Sequence, residues 1–367
     1  MKGRVWTELD MNHLKHNVEW FRENLSSNTE IMAVVKANAY GHGDVSIARE
    51  LNRQGVRAFA VATAGEGVWL RENKVKGDIL VLGFSCREEF ADLCRCNLIQ
   101  TVIDEEYAEE LNSFGREIRV HIKIDTGMHR LGEDYQNLDG IKKIYACSNL
   151  RVEGLYTHLS VADSQDPGDI DFTRGQIRHF HEIVQELREQ GYPTGKLHIQ
   201  SSYGVLNYPE LKCHYARIGI ALYGVLSSGK DHTRLKAELE PVLSLRARIA
   251  AVREVRPGES VGYGRDFIAP DWMRIAVVTI GYGDGYPRNL SNGRGHVLLH
   301  GELVPVIGRI CMDQLMIDVT HVTDVAAGDV VTLIGRDHGK EIRAEQVAAW
   351  SGTISNEILC RLNYREE

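Results

Sequence analysis

Short apolar runs alternate with longer amphipathic stretches through most of the chain. The runs, rich in Val, Ile, Ala and Leu, occupy residues 32–37, 58–63, 79–83, 99–103, 119–125, 152–158, 196–201 and 214–219. The stretches between them, such as 43–55 and 172–191, place apolar residues at steps of three and four, as helices that cover a sheet do. Strands buried on both faces are typical of parallel sheets, so eight such units predict a closed, TIM-like (β/α)8 barrel over residues 8–236.

The pattern changes at about residue 237. Residues 241–255, PVLSLRARIAAVREV, alternate apolar and polar positions, and shorter β-rich runs follow, separated by turns that contain glycine. Strict alternation is typical of antiparallel strands with one buried face. Residues 237–367 therefore predict a mostly antiparallel β domain, and the strand-like residues 1–7 are expected to join its sheet. The predicted fold class is α/β, a barrel followed by a β domain.

Composition excludes several classes of partner. The 367 residues are 43% hydrophobic and 26% charged, which is ordinary for a globular protein. The net charge of -8 and the lack of a long basic run argue against a nucleic acid or an anionic membrane and favour a small-molecule partner. The chain has no signal-peptide pattern and no run near the roughly 20 apolar residues that span a bilayer. We expect a cytoplasmic protein, either free or the cytoplasmic part of a longer, membrane-anchored one.

The seven cysteines are scattered, with no CxxC pair and no spacing of the kind that zinc requires. This pattern indicates a reducing compartment rather than a disulfide framework. No metal site is predicted.

Polar side chains occur where the predicted barrel strands end, which is where active sites lie in (β/α)8 enzymes. They are Lys36, Lys123, Asp125, Arg130, His158, Ser201, Ser202 and Arg217. We expect them to converge on one mouth of the barrel. A lysine after an apolar strand often serves only in a salt bridge, but desolvation also gives the lowered pKa that Schiff-base chemistry requires. Lys36 is therefore the first candidate for covalent chemistry.

The surroundings of Lys36 favour the covalent interpretation. In AVVKANAYGHG, Tyr40 offers a phenol to a phosphate oxygen, and Gly41 and Gly43 are expected to let the backbone approach a ligand. This segment resembles the cofactor-binding signature of the alanine racemases, which are fold-type III pyridoxal 5′-phosphate enzymes. The resemblance continues through KIDTGMHRLG, LYTHL, ARIGIALYG, VGYGRDF, IGYGDGYPR and VIGRICMDQ, and so covers nearly the whole chain. It implies an amino-acid racemase with the cofactor held on Lys36 as a Schiff base.

The resemblance also implies a pair of bases on opposite faces of the substrate. Lys36 acts on the D-enantiomer and Tyr263, in VGYGRDF, on the L-enantiomer. His158 bonds to the tyrosine, and Arg217 donates to the pyridine nitrogen of the cofactor. Because Tyr263 comes from the other subunit in this family, a homodimer with shared active sites is implied. Without the resemblance, Tyr263 would be an ordinary strand tyrosine and Arg217 a structural ion-pairing residue.

The other implied residues bind the cofactor phosphate or the substrate, or line the channel into the site. The phosphate set is Tyr40, Ser202, Gly219 and Ile220. Arg130 holds the substrate carboxylate, while Lys123 matches a lysine that is often carbamylated and orients that arginine. Met312 contacts substrate from the partner chain. The channel residues are Tyr282, Arg288 and Asp313.

One departure from the family pattern bears on the substrate. Asn356, in TISNEILC, stands where alanine racemases usually have tyrosine, so the site is larger and more polar. We expect it to accommodate a hydroxymethyl group, so that serine is racemised alongside alanine. The substitution is similar to the catalytic domains of the vancomycin-resistance serine racemases, membrane-anchored proteins that supply D-serine for cell-wall precursors. Ser201 and Tyr203 also depart from the usual H-x-x-N-S-A, which leaves the packing near the phosphate open.

Three other interpretations remain open at this point. Fold-type III amino-acid decarboxylases also combine a barrel with a β domain, although they lack the tyrosine motif. Non-catalytic proteins that bind pyridoxal phosphate are single-domain barrels, whereas this chain has a second domain. A purely structural barrel would bind no cofactor.

Overall fold

The eight predicted barrel strands are confirmed as neighbours in one parallel sheet. The computed structural model describes residues 3–362. After β1 (Val5–Leu9), the strands are β2 (Glu30–Val34), β3 (Ala58–Val61), β4 (Asp78–Val81), β5 (Ile99–Val102), β6 (Ile118–Asp125), β7 (Glu133–Asp134), β8 (Leu150–Tyr156), β9 (Lys196–His198) and β10 (Tyr215–Ile218). The barrel order is β10-β2-β3-β4-β5-β6-β8-β9, with β7 paired at the end of β6. The residues of β3 and β5 are buried throughout, although only β3 is a continuous apolar run, since β5 includes Gln100 and Thr101.

The barrel closes between its seventh and eighth strands, β9 and β10, through a small number of bonds. His214 N–H donates to the Leu197 carbonyl at 2.8 Å, and Arg217 N–H donates to the Gln200 carbonyl at 2.9 Å. A parallel bridge between Ser201 and Arg217 completes the seam. Arg217 therefore lies at the seam between β9 and β10.

Helices cover the outside of the barrel and end the chain. They are α1 (Met11–Asn24), α2 (Lys36–Gly41), α3 (Asp44–Arg53), α4 (Ala64–Glu72), α5 (Phe90–Arg95), α6 (Glu105–Asn112), α7 (Leu138–Ala146), α8 (Pro167–Glu189), α9 (Ser202–Asn207), α10 (Ala344–Ser351) and α11 (Ser355–Cys360). Several begin at a side chain that accepts backbone N–H groups, namely Asp10, Thr63, Asp104, Asn137 and Asp166. Such caps satisfy donors that the first turn leaves without partners.

The second domain is an antiparallel sheet, as the alternating pattern predicted. Its strands are β11 (Leu243–Val255), β12 (Ser260–Val261), β13 (Phe267–Ile268), β14 (Met273–Val278), β15 (His296–Leu299), β16 (Glu302–Ile307), β17 (Leu315–Asp318), β18 (Val330–Asp337) and β19 (Lys340–Ile342). The order of the main sheet is β1-β11-β14-β17-β16-β15-β18-β19, so the N-terminal strand β1 lies in it, antiparallel to β11. Buried and partly exposed residues alternate along the first half of β11, which explains its period of two.

The turn α2, which carries Lys36, is left-handed. Four consecutive residues other than glycine have positive φ, namely Ala37 (52°), Asn38 (53°), Ala39 (51°) and Tyr40 (52°). Each such residue costs about 1–2 kcal/mol relative to a right-handed conformation, so the surroundings must hold the turn in place.

Two buried or partly buried side chains hold this turn. The carboxylate of Glu66, in α4, accepts the N–H of Ala37 at 2.7 Å. Nδ1 of the buried His42 lies 3.0 Å from the carbonyl oxygens of both Ala39 and Tyr40. Burial lowers the pKa of His42 to about 4, so at neutral pH its ring is uncharged and Nδ1 donates to these carbonyls. The geometry of Lys36 therefore depends on Glu66, outside its own segment, as well as on His42 within it.

The structure places Gly41 against α11 rather than against the cavity, and Gly43 also lies outside the cavity lining, which differs from the expectation from the sequence. A Cβ on Gly41, whose φ is +80°, would lie 2.2 Å from the carbonyl oxygen of Leu359 in α11. A Cβ on Gly43 would meet only the Cβ of Ser46, at 4.0 Å. Neither glycine lines the cavity described below. Position 41 requires glycine because the backbone of α11 lies close to it.

Gly41→Ala is therefore expected to lower the free energy of unfolding by about 3 kcal/mol, since it combines left-handed strain with a backbone collision. Gly258→Ala is a matched control, because Gly258 has a φ of +83° but open space around its Cβ position. The control should cost only about 1 kcal/mol. Chemical denaturation of the three proteins measures the difference. Equal losses in both variants would show that α11 does not restrict Gly41.

Candidate active site

A cavity of about 330 Å³ lies at the carboxyl ends of the barrel strands. Its polar lining is Lys36, Tyr40, Lys123, Arg130, Tyr156, His158, Ser201, Ser202, Tyr203, Arg217, Ser227 and Asn356. Four of these residues are Lys or Arg, and none of the described lining residues is Asp or Glu. A cavity of this size and charge suits a small ligand with more than one anionic group.

Lys36 is half-buried at the start of α2. Burial and the positive charge of Arg130 lower its pKa from the ordinary lysine value, while Cys360 and Glu66 act in the opposite direction. A lowered pKa increases the share of neutral amine, which is the nucleophilic form. Lys36 has the environment that covalent chemistry at its amine requires.

Arg217 is buried and is fixed by acceptors from neighbouring strand ends. Its Nη1 donates to the carbonyl oxygen of His198 at 3.0 Å and to His198 Nδ1 at 2.8 Å. Its Nη2 donates to the carbonyl oxygens of Thr157 and Ile199 at 2.7 and 3.1 Å, and contacts His158 Nδ1 at 3.2 Å. These contacts engage both terminal nitrogens and leave Nε–H as the remaining donor for a ligand.

The Arg217 contacts determine the tautomers of the histidines beside it. Because arginine can only donate, Nδ1 of His158 and Nδ1 of His198 must accept, and each ring carries its proton on Nε2. His198 Nε2 then donates to Nδ1 of His121 at 2.9 Å. Burial, reinforced by Arg217, holds the pKa of His158 well below its usual range. His158 is therefore neutral, with an Nε2–H group available to donate.

Tyr156 and His198 support Arg217, and neither was identified as a site residue from the sequence. The ring of Tyr156 stacks on that of His198 with centroids 4.6 Å apart, and the guanidinium of Arg217 lies 4.9 Å from the Tyr156 centroid. The Tyr156 hydroxyl is 2.9 Å from the Thr101 hydroxyl. The sequence did contain a signal for Tyr156. It precedes His158 by two positions, and side chains two positions apart on a strand lie on the same face.

One end of the cavity has the groups that hold a phosphate. The N–H of Gly219 donates to Ser202 Oγ at 3.0 Å, which leaves the Ser202 hydroxyl hydrogen for a ligand. A Cβ on Gly219 would lie 2.7 Å from Tyr40 Oη, so this cradle accepts only glycine. Burial raises the pKa of Tyr40, which therefore remains a phenol donor. With Ile220 at the start of the next turn, this set fits a phosphate monoester.

The other two cations of the cavity, Lys123 and Arg130, lie on β6 and in the loop after it. Burial and the charges of Arg130 and Arg217 lower the pKa of Lys123 to about 8. Asp125 holds the loop by accepting the backbone N–H groups of Gly127 and Met128, both at 2.9 Å. Arg130 itself forms no hydrogen bond or ion pair with residues 3–362, so its guanidinium remains available to a carboxylate.

Asn356 lines the same cavity from α11. Its Oδ1 accepts a hydrogen bond from Ser227 Oγ at 3.0 Å, a contact that sequence reasoning did not anticipate. Two residues in HIQSSYG differ from the family pattern. Ser201 caps α9, and the Tyr203 phenol forms a hydrogen bond with the Asp231 carboxylate. Ser227 lies in a loop, where no periodic pattern marks a functional side chain.

The structure divides the sequence-predicted residues between two places. The cavity collects Lys36, Tyr40, Lys123, Arg130, His158, Ser202, Arg217, Gly219, Ile220 and Asn356. The cavity lining lacks Tyr263, Tyr282, Arg288, Met312 and Asp313, which are exposed on the β domain. The Tyr263 side chain is 70% exposed and borders a separate depression of about 880 Å³ with Cys311 and Met316. A single chain therefore brings one of the two predicted bases to the cavity.

Within residues 3–362, no group of three or more His, Cys, Asp and Glu side chains is placed to hold a metal ion. No described helix has both the length and the apolar character that a bilayer crossing demands. The seven cysteines are free thiols.

Comparison with known families covers almost all of the chain. Residues 9–227 match the family described as alanine racemase, N-terminal domain, and residues 242–367 match alanine racemase, C-terminal domain. An amino-acid racemase of Enterococcus faecalis is 41% identical over 99% of this chain but only 51% of its own length. A serine/alanine racemase of Enterococcus gallinarum is 40% identical over the same share of this chain. The chain thus spans about half the length of these curated relatives.

Other relatives match along nearly their whole length. An alanine racemase of Nostoc is 39% identical over 99% of this chain and 94% of its own. The structure of the Bacillus anthracis alanine racemase with bound L-Ala-P has a TM-score of 0.92 at 34% identity, covering 99% of this chain and 93% of the other. That of Bartonella henselae with covalently bound pyridoxal phosphate has a TM-score of 0.86 at 28% identity, covering 100% and 99%. The chain belongs to the alanine racemase family.

Proposed function

We propose that this chain is an amino-acid racemase that uses pyridoxal 5′-phosphate to interconvert the L- and D-enantiomers of alanine and serine. One observation carries the proposal. A desolvated lysine, Lys36, shares a cavity with three other cations, a phosphate cradle and no acidic group. That set matches a ligand with a phosphate at one end and an amino-acid carboxylate near the other.

The residues present fit the cofactor. Lys36 would hold it covalently, Tyr40 and Ser202 would bind its phosphate, and Arg217 would donate to its ring nitrogen. When bound, pyridoxal phosphate withdraws electrons from the substrate α-carbon and so makes the α-proton acidic. An arginine leaves the ring nitrogen unprotonated and moderates this withdrawal, which favours return of the proton to carbon over side reactions.

The proton is moved by two protein atoms on opposite faces of the α-carbon. We assign Lys36 Nζ to the D-enantiomer and Tyr263 Oη to the L-enantiomer. An ordinary tyrosine has a pKa of about 10 and needs a hydrogen-bond donor or positive charge to act as a base. The neutral His158, whose Nε2–H is free to donate, meets that requirement. Arg130 would hold the substrate carboxylate while the proton moves.

Because Tyr263 lies away from the Lys36 cavity of its own chain, we propose a homodimer in which each cavity receives Tyr263 from the partner. Met312 would contact substrate from the same face, and Tyr282, Arg288 and Asp313 would line the channel. Their exposure on the β domain supports this assignment. We further propose a cytoplasmic activity whose D-amino acids enter cell-wall precursors.

Lys123 is proposed to react with carbon dioxide and become an anionic carbamate that orients Arg130. Since only a neutral amine reacts, the carbamylated fraction should rise as the pH passes through the Lys123 pKa of about 8. At constant dissolved ¹³C-labelled carbon dioxide, the carbamate NMR signal should increase from about pH 7 to about pH 9. Lys123→Arg is the control and should lack the signal. A signal that persists in that variant belongs to another amine and contradicts the assignment.

Asn356 is proposed to admit serine by bonding its hydroxyl group. Asn356→Tyr should reduce kcat/KM for L-serine relative to L-alanine by about tenfold or more, because the added ring fills the space and removes the amide. Chirally resolved product analysis of both substrates gives the ratio. An unchanged ratio would remove serine from the proposal while leaving racemisation intact.

The general proposal is tested by racemisation of alanine and serine with added cofactor. Exchange of the α-proton in deuterated water together with formation of both enantiomers is expected. Release of carbon dioxide without enantiomer formation would indicate the decarboxylase alternative. Cofactor binding with no α-proton exchange would indicate a non-catalytic binding protein.

A further inference from the structure

A chain of hydrogen bonds runs from an acidic side chain outside the cavity to the wall that carries Asn356. The Tyr203 phenol donates to the Asp231 carboxylate, and Ser227 N–H donates to the same phenol oxygen at 2.7 Å. Ser228 N–H also donates to Asp231, at 2.9 Å. Tyr203 and Asp231 therefore fix the loop that contains Ser227.

The direction of these bonds follows from the groups themselves. A carboxylate can only accept, so the Tyr203 hydroxyl must donate to Asp231 and its oxygen must accept from Ser227. Burial, with the neighbouring Asp231 carboxylate, raises the pKa of Tyr203, so the phenol keeps its proton throughout the neutral range. The donated hydrogen bonds therefore run from Ser227 N–H to the Tyr203 oxygen and from the Tyr203 hydroxyl to the Asp231 carboxylate.

Ser227 fixes the position of Asn356 through two sets of hydrogen bonds. Its carbonyl oxygen accepts from Ser355 N–H at 2.9 Å and from Ser355 Oγ at 3.1 Å, which holds the residue before Asn356. Its hydroxyl donates to Asn356 Oδ1 at 3.0 Å. Both the backbone and the side chain at Asn356 are thus tied to the loop that Tyr203 holds.

This hydrogen bond leaves the Nδ2–H group of Asn356 available to a ligand in the cavity. Since Asn356 Oδ1 accepts from Ser227, the Nδ2–H group is what Asn356 can offer to a ligand. An N–H donor pairs with the hydroxyl oxygen of a hydroxymethyl group and has no partner on a methyl group. The fixed orientation of the amide therefore favours serine over an amino acid whose side chain fits the same space but has no hydroxyl group.

We propose that Tyr203 and Asp231 are positioning residues that act through Ser227 to orient the Asn356 amide toward a hydroxyl-bearing substrate. The inference rests on the proposed racemase function and deepens it. In this view selectivity between serine and alanine depends on residues that lie behind the cavity wall, in addition to Asn356 itself.

Tyr203→Phe tests the inference because it keeps the ring and removes only the hydroxyl. The kcat/KM ratio of L-serine to L-alanine should fall about fivefold to tenfold, since the freed loop no longer fixes the amide. Ser227→Ala should give a similar fall by removing the final bond. Asp231→Asn keeps an acceptor for the phenol and should lose less selectivity than Asp231→Ala. Tyr145→Phe is the matched control, because its hydroxyl donates to the Pro193 carbonyl at 2.9 Å and the residue does not line the cavity.

A double variant separates orientation from general disturbance. If Tyr203 acts through Asn356, Tyr203→Phe should not change the ratio further in an Asn356→Ala background. An equal fall in both backgrounds would overturn the inference, because Tyr203 would then act independently of the amide. If Asn356→Ala changes the ratio but neither Tyr203→Phe nor Ser227→Ala does, the positioning role fails and the serine proposal stands. If Asn356→Ala leaves the ratio unchanged, the serine proposal itself fails, and the inference with it.

Discussion

Lys36→Ala is expected to lower kcat/KM for racemisation by about 10⁴-fold or more, since it removes both the covalent attachment of the cofactor and one of the two bases. The amine is the only group at the start of α2 that can attack a carbonyl, and its lowered pKa keeps part of it neutral. Enantiomer interconversion measured with saturating cofactor gives the rate. Lys36→Arg should be almost as inactive, because a guanidinium keeps the charge but does not act as a nucleophile.

Attachment can be located independently of activity. Borohydride reduction of the cofactor-loaded protein, followed by peptide mapping, should find the cofactor on the peptide that contains Lys36. Lys15→Ala is a suitable control, since Lys15 is exposed on α1 and pairs with Glu19 across one turn. Lys123 is the other lysine among the described lining residues of the cavity. A cofactor mapped to Lys123 would contradict the assignment of Lys36.

Mixing two inactive variants is expected to restore activity if the site is shared between subunits. Tyr263→Phe alone should lose about 10³-fold in kcat/KM for the L-enantiomer, because the phenol oxygen is the proposed base. In a mixed dimer of Lys36→Ala and Tyr263→Phe chains, one cavity carries both substitutions and the other carries neither. Random pairing should therefore recover about a quarter of the wild-type activity.

The mixing experiment contains its own controls. Either variant mixed with more of itself should remain inactive, since no cavity then has both bases. Sedimentation of the mixture reports whether dimers formed. Dimers without recovered activity would mean that Tyr263 serves the cavity of its own chain or is not the base.

Much of the barrel follows from local sequence, because its strands are buried on both faces and read as continuous apolar runs. All eight strands fall where those runs occur, and the alternation in β11 likewise predicts the antiparallel sheet. The left-handed turn after β2 could not be predicted in the same way. Ala and Tyr rarely adopt positive φ, although Asn does so more readily, and Glu66, which holds the turn at Ala37, is 29 residues away in the sequence.

The site was predictable to the extent that it lies at strand ends. Lys123, His158 and Arg217 were found from that rule, and they line one cavity. Ser227 was missed because its role depends on a loop folding against α11. The exposed Tyr263 marks a different limit, since its proposed function requires a second chain and no feature of a single chain shows where that chain binds.

The close crossing of α11 over Gly41 also bears on when the protein becomes reactive during synthesis. A ribosome makes the segment that contains Lys36 before the β domain, and the helix α11 that packs on α2 after it. Domains generally fold in order as they emerge, so a nascent barrel would carry Lys36 on a turn that its late neighbour does not yet restrain. During synthesis, the turn that carries Lys36 therefore gains the neighbour that packs on Gly41 only after the β domain has been made.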